Sequence, residues 1–98
     1  MEETKIETRM NGDSFSEFVG RLRRYVTEVG GVWGGPENED NARYAEANIN
    51  CLLPGGTILK VNYHRNSDFN SEGELTARIE GPAAEVIKER LMKLIREC

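Results

Sequence analysis

Histidine is nearly missing from this chain, which holds only His64, and cysteine is limited to Cys51 and Cys98. A lone histidine excludes catalysis by a histidine pair and any multi-histidine metal site. Two distant cysteines without CxxC or Cys/His spacing make neither a zinc knuckle nor a redox motif. No metal or other cofactor is expected, and a reducing compartment is the simplest setting for the thiols. Long apolar runs are also missing: none exceeds three residues, against the roughly 18 needed to cross a bilayer. The opening MEETKIETRM has no apolar stretch suited to a signal peptide, so a cytoplasmic protein with no membrane partner is expected. Basic residues number 13 against 17 acidic ones, and the formal charge of -4 argues against a protein that holds nucleic acid mainly by neutralising phosphates.

What is present is periodicity. The chain has 98 residues, 38% of them hydrophobic, which suits one core and a single domain over 1–98. TKIETRM alternates Thr4, Ile6, Thr8 and Met10 against Lys5, Glu7 and Arg9, the period of a half-buried strand. Asn11 to Asp13 breaks the pattern, and Ser14 with Glu17 three residues on reads as a capping box that opens a helix. Phe15, Phe18, Val19, Leu22, Val26 and Val29 then form one helical stripe, which Gly30 and Gly31 end.

Alternation resumes in RYAEANINCLL, with Ala45, Ala47, Ile49, Cys51 and Leu53 facing one way and Tyr44, Glu46, Asn48 and Asn50 the other. PGGT is a turn, and TILKVNYHR places Leu59, Val61 and Tyr63 inward, so a hairpin is expected. After the polar stretch NSDFNSEG, Leu75, Ala77 and Ile79 alternate again. Gly81 precedes Pro82, which suits the first position of a last helix whose apolar residues are Ala83, Ala84, Ile87, Leu91, Leu94, Ile95 and Cys98. The sum is an α+β fold, an antiparallel sheet of four or five strands with two helices packed on one face, in the order β-α-(β)-β-β-β-α. The other face of the sheet is left to water or a partner.

This order of elements resembles a half-repeat of the TATA-binding protein, over nearly the whole chain. The resemblance implies a TBP-like sheet in which Val32 and Trp33 form a short edge strand after the first helix, with PENEDN as the turn into Arg43. The family uses two repeats in one chain and inserts phenylalanines into the minor groove. One repeat's length and no phenylalanine on the expected open face leave DNA bending outside what the fold implies.

The open face, by alternation, holds Lys5, Glu7 and Arg9; Tyr44, Glu46, Asn48 and Asn50; Ile58, Lys60, Asn62 and His64; and Glu74, Thr76, Arg78 and Glu80. Tyr44 alone is a poor stacking platform for bases. Asn48, Asn50, Asn62 and Thr76 carry donors and acceptors that suit a partner's polar edge, whereas cross-strand ion pairs in water are the plainer reading. His64 beside Arg65 reads as a surface residue, and Cys51 as an inert core thiol. Asp68, Asn70, Glu72 and Gly73 fit the first positions of a calcium loop, but its twelfth position is Ile79, needed for the core. The glycines around Trp33 follow a helix instead of opening one, against a phosphate loop. Trp33 then packs over the helix end or anchors a partner at a sheet edge.

Arg21, Arg23 and Arg24 make a local positive patch, with Glu17 and Glu28 as expected partners of Arg21 and Arg24. No catalytic constellation emerges. The reading is a small non-catalytic binding module that meets a protein partner or a second copy through the open face or an edge strand, with contact residues drawn from Trp33, Tyr44, Asn48, Asn50, Asn62, His64, Arg21 and Arg24. A nucleic-acid contact through the helix arginines and sheet asparagines is the alternative, and a ligand pocket between sheet and helices a third.

Overall fold

A computed structural model describes residues 3–35, 46–66 and 71–98. Four strands form one antiparallel sheet: β1 (Glu3–Met10), β2 (Glu46–Leu52), β3 (Ile58–His64) and β4 (Gly73–Glu80), in the spatial order β1-β4-β3-β2. Helix α1 (Gly12–Glu28) joins β1 at one edge to β2 at the other, and α2 (Ala84–Arg96) follows β4. The α+β architecture and the order β-α-β-β-β-α are as the periodicity implies.

Both helices lie against the same face. Phe15, Phe18, Leu22 and Val26 of α1 and Ile87 and Leu91 of α2 share one buried cluster with the inward residues of the strands. At its centre the Phe15 and Tyr63 rings stack with centroids 3.9 Å apart and planes within 7°. The Tyr63 hydroxyl donates to the Met10 carbonyl at 2.9 Å, so the buried phenol has a partner and ties β3 to the end of β1.

Several local details differ from the sequence reading. Helix α1 opens at Gly12 with Asn11 as its cap: the Asn11 side chain accepts the Ser14 N–H at 2.9 Å. Asparagine is as strong a cap as serine, and its earlier position replaces the Ser14–Glu17 box. At the other end Gly30 takes φ +82°. Its N–H donates to Thr27 at 3.1 Å, while the Gly31 N–H donates to Val26 at 2.8 Å, the paired bonds of a Schellman termination. Val29, placed in the apolar stripe by spacing, is the C-cap and is 42% exposed, because the helix axis has already ended beneath it.

Pro82 stands in a turn before α2 instead of at its first position, and Ala83 is the cap residue. What fixes this corner is tertiary. Buried Thr57, just before β3, accepts the Ala83 N–H on its hydroxyl at 3.4 Å. Gly81 has φ +138°, and a Cβ there would come within 2.7 Å of the Thr57 Cα. The backbone thus passes close to β3 only because position 81 lacks a side chain.

Val32 and Trp33 do not make a full fifth strand. Val32 forms one isolated antiparallel bridge to Leu52, with the Val32 N–H donating to Leu52 at 2.8 Å, and the Asn50 N–H donates to the Gly34 carbonyl at 2.9 Å. These bonds cover the outer edge of β2 at Asn50 and Leu52. The start of the expected strand at Arg43, with Tyr44 and Ala45, lies outside the described residues.

Candidate binding face of the sheet

Alternation sets which residues face away from the helices, and the pairing register sorts them into four rows across the sheet. The first row runs Leu52, Ile58, Glu80, Glu3, and the bridge adds Val32 opposite Leu52. Directly opposed residues of an antiparallel pair project to the same side, so Val32 belongs to this face. The second row is Asn50, Lys60, Arg78, Lys5. The third is Asn48, Asn62, Thr76, Glu7, and the fourth Glu46, His64, Glu74, Arg9.

The rows differ in how their charges are balanced. In the fourth, His64 Nδ1 lies 3.0 Å from Glu46 Oε1 and Arg9 Nη2 lies 3.4 Å from Glu74 Oε1. Arg9–Glu74 is a cross-strand ion pair of the kind a solvated face was expected to carry, and His64–Glu46 is a close cross-strand polar contact. The second row is different. Lys5, Arg78 and Lys60 stand opposite one another on three adjacent strands, an arrangement that costs stability through repulsion. Lys5 reaches along its own strand to Glu7, 2.8 Å away. That hydrogen bond, with the ammonium charge behind it, lowers the Glu7 pKa. Lys60 and Arg78 make no ion pair with a described residue.

Asn48 and Asn62 are direct cross-strand neighbours. With Glu46, Tyr63, His64, Glu74 and Thr76 they line a shallow depression of about 340 Å³. Asn50 sits beside Lys60, one row away.

Other candidates lie elsewhere. Trp33 is half-buried and packs against the core, on the helix side of the sheet, where its ring edge would sit 2.9 Å from a Cβ at Gly35. Arg21 and Arg24 belong to the helix layer. Arg21 is held by Glu17 at 3.0 Å and by Glu97 at 3.2 Å, and the hydrogen bond it donates to Glu17 raises its pKa. The expected Arg24–Glu28 pair does not form. Instead Arg24 borders a small hollow with Tyr25, Arg90 and Leu94, where the Arg90 guanidinium lies 5.6 Å from the Tyr25 ring. The helix arginines and the sheet asparagines consequently occupy opposite sides of the molecule. Tyr44 lies outside the described residues.

Sequence reasoning missed three members of the face: Glu3, opposite Glu80, and Val32 and Leu52, which are 63% and 52% exposed. Leu52 shares the phase of Asn48 and Asn50 and was legible from alternation, whereas Val32 joins the face only through a non-local bridge. Arg65, the neighbour of exposed His64, is only 5% exposed, which no sequence pattern marked. The Arg65 cation influences the Tyr63 phenol, whose pKa is raised chiefly by burial. Burial likewise raises the Cys51 thiol, which faces the core.

Among the described residues no group of three or more His, Cys, Asp or Glu side chains is arranged to hold a metal ion. Nor is any helix long and apolar enough to cross a membrane. The possible calcium-loop residues Asp68 and Asn70 lie outside the described residues, and Ile79 is fully buried in the core. Comparison of the chain with protein-family models, with curated proteins and with solved structures finds no match.

Proposed function

We propose that this chain is a non-catalytic protein-binding module whose contact surface is the open face of the sheet, on a fold arranged like one half-repeat of the TATA-binding protein. One observation carries the proposal. The face turned away from both helices joins a row of exposed aliphatic residues, Val32, Leu52 and Ile58, to a row of cations of which Lys60 and Arg78 have no described counter-ion. Apolar side chains clustered on a sheet surface beside unbalanced like charges lower the stability of the isolated domain, and a partner supplying apolar contact and negative charge relieves both. The asparagine row beside them adds donors and acceptors that orient such a partner.

The test is site-specific photo-cross-linking in the cells that make the protein. A benzophenone side chain at Asn62 is expected to trap a protein, whose added mass separates a foreign partner from a second copy. The same probe at Arg23, on the exposed side of α1, is expected to trap little. Adducts at Arg23 alone, or none at Asn62, would remove the open face as the contact surface.

A further inference from the structure

We infer that the open face receives an acidic and aliphatic peptide segment of a protein partner, its apolar side chains over Val32, Leu52 and Ile58 and its carboxylates over Lys60, Arg78 and Lys5. The inference rests on the proposal that this face is the contact surface, and adds the chemistry of what it contacts.

The argument begins with position. Ile58 and Lys60 are two residues apart on β3 and share a face, so the apolar and basic rows are adjacent, roughly 7 Å apart at about 3.4 Å per residue. The apolar trio occupies the β2 side of the sheet and the cationic trio the β1 side, so their chemistry is offset along the rows. At about 4.8 Å between strands, each trio spans about 10 Å and the two together about 19 Å. That length suits roughly 13 residues of helix. Carboxylates three or four residues apart on a helix have Cβ atoms about 5–6 Å apart, close to the spacing of Lys60, Arg78 and Lys5 across the strands. Glu3 and Glu80 continue the aliphatic row and confine a partner's negative charge to the basic row.

A nucleic-acid strand fits the same surface less well. The described residues of the face include no phenylalanine, tyrosine or tryptophan on which bases stack. Glutamates stand in three of the four rows, and they would oppose a continuous line of phosphates where discrete carboxylates can avoid them.

The experiment is selection of a random 12-residue display library against the full chain, followed by synthesis of the enriched peptides, affinity by fluorescence anisotropy and mapping by amide chemical shifts. Enriched peptides are expected to carry at least two aliphatic and two acidic residues, to shift the first and second rows, and to bind less tightly as salt rises. Leu52→Ser and Arg78→Gln are each expected to weaken binding more than tenfold with amide spectra otherwise retained, while Arg23→Gln changes it less than twofold. Peptides that map to the face without acidic residues would overturn the charge assignment and leave the binding face standing. Peptides that map to the helices, or a library that enriches nothing, would overturn both. Tighter binding of a thymidine 15-mer or of phosphatidylserine vesicles to the same rows, or self-association that shifts those rows on dilution, would replace the peptide with that occupant.

Discussion

Replacing Lys60 with glutamate is expected to make the protein more stable, although the side chain is exposed. Lys60 stands directly opposite Arg78, with Lys5 one strand further on. Two exposed unit charges about 6 Å apart in water interact by about 0.7 kcal/mol. Turning that repulsion into attraction is worth about twice as much, and screening at physiological salt, where the Debye length is about 8 Å, removes roughly half. About 0.7 kcal/mol remains, within the 0.2–1 kcal/mol range typical of cross-strand pairs. For a domain of this size it corresponds to a melting temperature higher by about 4 °C. Lys60→Gln, which removes repulsion without adding attraction, should fall midway. The rise is expected against a global trend, because the substitution makes an already acidic chain more negative. Calorimetry in 20 mM and 1 M sodium chloride checks the origin: the gap between variant and parent should shrink at high salt. A Lys60→Glu protein melting at or below the parent in low salt, or a gap indifferent to salt, would refute the reading of Lys60 and Arg78 as an uncompensated like-charge pair. A more stable variant that has also lost its partner would show the trade of stability for function expected at a binding surface.

Asn11→Ala should cost about 1 kcal/mol of stability in urea titrations, because the Ser14 N–H loses its acceptor, whereas loss of the Ser14 side chain in Ser14→Ala should cost less than half as much; equal losses would return the cap to Ser14. Stability should also fall at alkaline pH. Burial holds protons on Cys51 and Tyr63 above their ordinary pKa values of 9.0 and 10.0, so the unfolded chain releases them first as pH rises. Their contribution is complete below about pH 9 and declines through the raised folded values, and a urea midpoint unchanged or higher at pH 10.5 than at pH 8 would contradict it.

The face to which these predictions refer was only partly visible in the one-dimensional pattern. Period-two alternation assigned Lys60, Asn62, His64, Thr76 and Arg78 to one side of their strands, since a strand side chain's direction depends on little beyond its parity. Alternation carries no information about register between strands distant in sequence. That β1 pairs with β4, and that Lys5 therefore stands opposite Arg78, follows from a contact across more than seventy residues. The positive charge of Arg21 and Arg24 and the donors and acceptors of Asn48, Asn50 and Asn62 suit one polar partner in the sequence, but packing puts the two groups on opposite layers. Of the two readings of Trp33, packing or an edge anchor, its half-buried ring packs on the helix side, while its neighbour Val32 joins the open face.

Local chemistry determined the four strands, the two helices and most of the apolar core, though not the burial of Arg65 or the exposure of Val29. Phe15, Phe18, Leu22, Leu59, Leu75 and Ile79 could face only inward, because exposing any of them forfeits about 1.5–3 kcal/mol of hydrophobic stabilisation. Helix endings followed similar logic where a glycine was required, as at Gly30, but failed where two caps of nearly equal strength competed, as at Asn11 and Ser14. Only the folded chain decided which exposed residues became neighbours. Solvent-facing side chains contribute little individually to stability, so their sequence pattern leaves many registers nearly equivalent, and it is burial of the opposite face that selects the one placing Lys60, Arg78 and Lys5 in a line.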